Sequence, residues 1–251
     1  KRYQHGDITV DVEPSMRGLA TIWDKDILIF AISQIMAAKN EGRPYSRDVV
    51  FSARDLLVFT NRMTNGGGYE GLKDALARLD GTRVRTTIST GGEQSWKAFG
   101  LIDGAMIRRR HHDGRVIEWG VTLSEWLFRA IEANEVLTLD PSYFRLRKSI
   151  DRRVYEVARK HCGEQKSWKI RLELLLKKSG SKDTLKKFRY NIRELERSNV
   201  LPTYSVKMVE GDCVLFERRE TKNGITDAMP LPLPVHGLSL RDSTYEIARD
   251  L

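Results

Sequence analysis

Two stretches of this chain share one grammar, and that repetition restricts the available folds more than any other feature. They are "LLVFTNRMTNGGGYEGLKDALARLDGTRVRTTI", from Leu56 to Ile88, and "LLLKKSGSKDTLKKFRYNIRELERSNVLPTYSV", from Leu174 to Val206. Each has a Leu pair, a turn of small residues, a helix striped with Leu or Ile, and a strand. Helix, tight turn, helix and hairpin, preceded by another helix, is the order of a winged helix-turn-helix. The expected fold class is therefore α+β, with two tandem winged-helix domains.

The surrounding segments supply the missing elements. Asp24 to Asn40 places Ile27, Leu28, Ala31, Ile32, Ile35 and Met36 at helical spacing, with Gly42 and Pro44 closing the helix. A short helix from Ser52 to Thr60, with Ser52 as N-cap, buries Leu56, Leu57 and Phe59. "TNGGGYEG" breaks the pattern, and a third helix is expected from about Tyr69 to Leu79. "TRVRTTIST" alternates like a strand, "TGGEQ" reads as its turn, and "SWKAFGLIDGAMIRRR" and "RVIEWGVTL" read as returning strands around "HHDG". Pro141 marks a joint, and the order restarts. Ser149 to His161 is a helix with Ile150, Val154, Tyr155 and Ala158 inward, and Lys169 to Lys177 is a short helix. "PTYSVKMVEGDCVLFERR" then makes two strands around "EGD".

The second repeat holds the most informative helix. On a helical wheel Leu185, Phe188, Ile192 and Leu195 form a buried stripe, and Lys186, Lys187, Tyr190, Arg193 and Arg197 lie opposite, with Arg189 and Asn191 on the flanks. Lys182 stands in the turn ahead of it, where Ser181 or Asp183 is expected to cap the helix. Lys and Arg neutralise phosphates, and Arg and Asn make bidentate bonds to purine edges. A solvated basic surface is the plain alternative, and a membrane-lying helix is disfavoured because a domain core already claims the stripe. In the first repeat Lys73, Arg78, Arg83 and Arg85 are candidates for positioning contacts to the phosphate backbone. Arg109 and Arg110, in the run Arg108 to His112, are candidates for a wing reaching a groove, with a loose basic loop as the alternative.

Charge and composition narrow the partner. The 251 residues carry a net charge of +9, with 31% charged and 40% hydrophobic, which argues for folded domains and a polyanionic partner. Cys162 and Cys213 are the only cysteines and lack zinc-ligand spacing, so no metal and no cofactor are expected. The apolar runs are too short to span a bilayer and no leader precedes them, so the chain is expected in the cytoplasm without membrane association. Beginning at Lys1 and stopping within "STYEIARDL", it reads as part of a longer protein. His111 and His112 lack the partners of a nuclease site, Tyr190 has no base or metal cluster nearby, and no GxxxxGK[ST] occurs, so no enzyme is expected.

Four segments, "DKDILIFAISQI", "FSARDLLVFTNRMTNGGGYEGLKDALARLDGTRVRTTI", "VTLSEWLFRAIEANEVLTLDPSYFRLRKSIDRRVYEVARKHCG" and "DTLKKFRYNIRELERSNVLPTYSV", resemble the plasmid replication initiator protein A family. The resemblance runs from about Ile22 to Phe216. It implies a protein that binds double-stranded DNA at repeated origin sites, helps melt the origin, and recruits the host initiator and replicative helicase. It also implies self-association between monomer and dimer, and base reading by the C-terminal winged helix, in the helix that contains Lys186, Lys187, Arg189, Tyr190 and Arg193. The domains implied are residues 22–139, residues 140–219 as the main DNA reader, and 220–251 as linker and start of a tail. A dimeric winged-helix repressor, possessing the same domains, is the competing expectation, and a protein-binding module is a third.

Overall fold

The computed structural model describes residues 2–5, 8–90, 93–109, 116–219 and 231–234. Packing divides the chain into two compact units, with the boundary between Val136 and Leu137. Each is a winged helix, as the repeated grammar predicts.

The first unit contains β1 (Arg2–His5), β2 (Ile8–Glu13), α1 (Lys25–Asn40), β3 (Asp48–Phe51), α2 (Ala53–Phe59), α3 (Gly66–Gly81), β4 (Arg83–Thr90), β5 (Glu93–Gly100), β6 (Ile102–Arg109), β7 (Val116–Leu123) and α4 (Glu125–Glu132). β3, β7 and β6 form one antiparallel sheet in that order, so the strand ahead of α2 pairs with the last strand of the wing. "TRVRTTIST" is not part of that wing. It is β4, which pairs with β5 and with the N-terminal β2 in a separate sheet. The cause is its alternation: Val84 and Thr86 join Val10 and Val12 in the core, while Arg83, Arg85, Asp11 and Glu13 face out or lie between. "SWKAFGLIDGAMIRRR" accordingly contains two strands, β5 and β6, which join different sheets.

α1 is enclosed rather than striped. Ile29 and Phe30 are buried along with Ile27, Leu28, Ala31 and Ile32, because α2, β3 and α4 all pack on this helix. α3 begins at Gly66, three residues earlier than the apolar spacing predicts. Asn65 caps it by accepting from the Gly68 amide at 3.1 Å. A Cβ on Gly68 would lie 1.9 Å from the Met63 carbonyl oxygen, so this glycine permits the close approach of the preceding turn.

The second unit takes up most of β8 (Val136–Leu139), a 3-10 turn (Pro141–Arg145), α5 (Ser149–His161), β9 (Ser167–Arg171), α6 (Leu172–Ser179), α7 (Leu185–Ser198), β10 (Tyr204–Val209) and β11 (Cys213–Arg218). Its sheet order is β10, β11, β9, which repeats the pairing of the first unit's wing sheet. The helix expected over Lys169 to Lys177 is corrected by this pairing. Trp168 and Ile170 face Phe216 and Val214 across β11, making Ser167–Arg171 a strand, and the helix starts only at Leu172.

α5 carries charge into the core. Val154, Tyr155 and Ala158 are buried as expected and Ile150 is half-buried, but Arg152, Arg153 and Glu156 are buried too. Glu156 accepts from the Tyr143 hydroxyl at 2.6 Å and from Arg153 at 3.2 Å, and Arg153 also donates to the Ser179 carbonyl at 3.3 Å. Arg152 donates to the Leu146 carbonyl at 3.1 Å and lies 4.8 Å from the centre of the Tyr143 ring. Burial pushes the Tyr155 hydroxyl up to about 12. That hydroxyl accepts the Asp140 amide at 3.1 Å. These bonds tie the 3-10 turn, α5 and the end of α6 into one support for α7.

The glycine geometry separates two neighbouring substitutions. Gly68→Ala is expected to lower stability by about 1–3 kcal/mol, because the new methyl meets backbone. Gly71→Ala, where a Cβ meets nothing within 4 Å, is expected to raise it by about 0.5–1 kcal/mol. Urea unfolding of the two variants checks the opposite signs.

Candidate nucleic-acid interface

α6 and α7 form the helix-turn-helix of the second unit. α6 ends at Gly180, whose φ of 64° is the left-handed conformation that stops a helix. In the turn that follows, the Ser181 hydroxyl accepts the Asp183 amide at 3.2 Å. Neither of these residues is the N-cap. Thr184 takes that position and its hydroxyl accepts the Lys187 amide at 3.3 Å. Asp183 instead accepts from the Asn191 side chain at 2.8 Å, which braces the turn against the helix. At the other end α7 stops at Asn199, also left-handed at φ 49°, and Arg219 donates to its carbonyl at 3.0 Å and its side chain at 2.6 Å.

The rotation of α7 about its axis is set by Phe188, Ile192 and Leu195, which are buried, while Leu185 is half-buried at the helix start. Lys186, Lys187, Tyr190, Arg193 and Arg197 consequently face solvent, with Tyr190 53% exposed. Lys187 lies 5.0 Å from the Tyr190 ring centre, a cation–π contact that narrows the range of both side chains. Arg197 pairs with Glu194 at 2.5 Å. Arg189, on the flank, donates to both carboxylate oxygens of Asp212 in the β10–β11 turn, at 2.9 and 2.7 Å. Its hydrogen bonds hold the Asp212 carboxyl below the usual range, and the Arg189 guanidinium is raised in turn. Lys182, Lys186 and Arg193 are exposed and have no ion-pair partner among the described residues.

The first unit presents a different surface at the equivalent helix. α3 carries Lys73 and Arg78 against Glu70, Asp74 and Asp80, whereas α7 carries five basic residues against two acidic ones. Lys73 is exposed, 3.6 Å from Glu70. Arg78 is committed to a bidentate pair with the buried Asp24, at 2.7 Å for each bond. Arg83 is exposed on β4, and Arg85 pairs with Glu13 at 2.9 Å. Arg109 ends β6 and is exposed, while Arg110, His111 and His112 lie outside the described residues. The candidates from the first repeat are thus spread over α3, β4 and β6, and those from the second are gathered on one helix and, for Lys182, the turn ahead of it. Asp212 and Asp24 are the residues that sequence reasoning missed. "EGD" signals a turn, and nothing in its spacing signals a partner on α7.

Among the described residues no cluster of His, Cys, Asp or Glu is placed to hold a metal ion, and no helix is long and apolar enough to cross a membrane.

Fold and surface together define a tandem winged-helix protein with its positive charge gathered on the third helix of the second unit. The family model for Replication initiator protein A matches residues 1–206, and the chain belongs to that family. A relative from Wigglesworthia glossinidia brevipalpis, named "Putative replication protein", is 37% identical over 223 residues, covering 86% of this chain and 80% of the relative. The fold is similar to crystal structures of domains 2 and 3 of RctB. One, spanning RctB residues 155–483, gives a TM-score of 0.60 at 12% identity over 87% of this chain and 90% of that one. A selenomethionine form gives 0.65 at 12% identity over 88% and 90%.

Arg78 and Lys73 separate structural from surface charge. Arg78→Ala leaves the Asp24 carboxylate buried with the Thr21 amide at 2.8 Å, and a cost of about 3 kcal/mol in unfolding free energy is expected. Lys73→Ala is expected to stay within about 0.5 kcal/mol of the parent. Thermal and urea unfolding without DNA measures both.

Proposed function

We propose that this chain is a replication initiator that binds repeated double-stranded sites at a plasmid origin, with α7 of the second unit as its base-reading helix. The observation that carries this reading is the position of α7. Its exposed face joins Lys186, Lys187, Tyr190 and Arg193, and it is the third helix of a winged helix, the element that enters the major groove in helix-turn-helix proteins. Lys186 and Lys187 supply phosphate contacts near the helix start, where backbone N–H groups also favour an anion. Arg193 has the donor geometry for a guanine edge.

The first unit acts in positioning, through scattered contacts from Lys73, Arg83, Arg85 and Arg109 to the phosphate backbone, which carry no sequence information of their own. Several copies spread over adjacent repeats would bend or unwind the neighbouring duplex. Membership of the initiator family supports the origin as the place of action, the bacterial cytoplasm as the compartment, and self-association, host initiator and replicative helicase as further interactions. The chain itself is a binding protein and no enzyme, so nucleotide hydrolysis comes from the host partners.

The double variant Lys187→Ala, Arg193→Ala tests the reading. Both side chains are exposed, so its melting temperature is expected to match the parent. Affinity for the plasmid's own repeats is expected to fall roughly a hundredfold or more, from a base contact of Arg193 of about 1–3 kcal/mol and a charge-assisted phosphate contact of Lys187 of about 1.5–3 kcal/mol. Unchanged affinity for those repeats in a folded variant rules out α7 as the reader.

A further inference from the structure

The turn between β10 and β11 presents an acid to a helix otherwise selected for positive charge. Asp212 stands there at a φ of 53°, after Gly211 at 77°, and its carbonyl accepts the amide of Leu172, the buried first residue of α6, at 2.9 Å. The turn is therefore fixed to the helix-turn-helix at its backbone. The side chain is fixed as well, through the paired bonds to Arg189. Arg193, one turn further along α7, adds to the positive field on this carboxylate.

An acid placed against the reading helix needs a reason, because it cancels charge that would otherwise attract DNA. Guanidinium has five N–H donors. Asp212 takes the Nε donor and one from Nη2, leaving the end-on fork, one N–H from each terminal nitrogen, uncommitted. That fork matches the O6 and N7 acceptors of a guanine in the major groove. The same carboxylate occupies the side-on pair of donors, one of the two forks a phosphate could use, and its negative charge offsets that of the guanidinium, so the attraction of Arg189 to the backbone of arbitrary DNA is weakened.

We infer that Asp212 is a positioning residue for sequence recognition: it holds Arg189 in the orientation that reads a guanine and weakens its attraction to the phosphates of arbitrary DNA. This rests on the assignment of α7 as the reading helix. Specificity here comes from an added repulsive element as much as from the attractive one.

The test uses the full chain and a randomised duplex library to define its preferred site. Binding to every single-base substitution of that site is then measured at several salt concentrations for the parent, Arg189→Lys and Asp212→Asn. Asn tolerates positive φ as Asp does, so the turn is retained. One G·C position at which the parent discriminates by about tenfold or more is expected to lose its preference in both variants while other positions keep theirs. Asp212→Asn is also expected to bind arbitrary DNA more tightly, with the slope of log K against log salt steeper by about one. Asp212→Asn that retains every base preference, or weakens all positions equally, overturns the inference and leaves α7 as the reader. A parent chain that enriches no sequence at all overturns the α7 assignment, and the role of Asp212 with it.

Discussion

Everything on the basic face of α7 depends on three side chains on the opposite side of that helix. Phe188, Ile192 and Leu195 are inserted in the core, and a helix held at three points one turn apart cannot roll about its axis. Lys186, Tyr190 and Arg193 are presented together for that reason alone. The core they enter is itself braced by charge. Arg153 and Glu156 sit buried in α5, bonded to Tyr143 and to the last turn of α6, so the helix preceding the turn is held as firmly as the one after it. Removing one partner of such a network would leave an uncompensated charge in the core, which is why a buried polar cluster of this kind constrains its neighbours strongly.

The two units share a fold and differ in what that fold presents. In α3 the acidic residues outnumber the basic ones and Arg78 is committed to Asp24, whereas α7 exposes a basic stripe beside a braced turn. A winged helix is a frame, and function resides in the side chains placed on it. The comparison between units within one chain makes that distinction without reference to any other protein. It finds a basic stripe on one helix and paired, scattered charge on the surface of the other unit.

Much of this was legible in the sequence, and the exceptions share a cause. The stripe of α7 is visible because apolar residues recur at helical spacing among charged ones, and the paired helix-turn-helix order is visible because turn residues punctuate it. β9 was not legible as a strand. Its five residues, "SWKIR", run directly into a Leu-rich helix, and a short alternation of that kind also satisfies helical spacing. The β4–β5 hairpin reads correctly as strands, but which sheet it joins depends on β2, more than 60 residues away along the chain. Long-range polar pairs were the least legible. Asp212 is 23 residues from Arg189 and Asp24 is 54 from Arg78, and local pattern carries no information about partners at such separations.

The claim that α7 enters the groove is tested most directly by mapping which bases lie beside it. In a Cys213→Ser background, a photo-cross-linker is attached through Arg193→Cys on α7 or through Ala77→Cys, an exposed position on α3, and the full chain is bound to the plasmid's own repeats. Cross-links from position 193 to bases at one fixed place in each repeat, with none from position 77 to bases, are the predicted result. Base cross-links from position 77, with none from position 193, would contradict it.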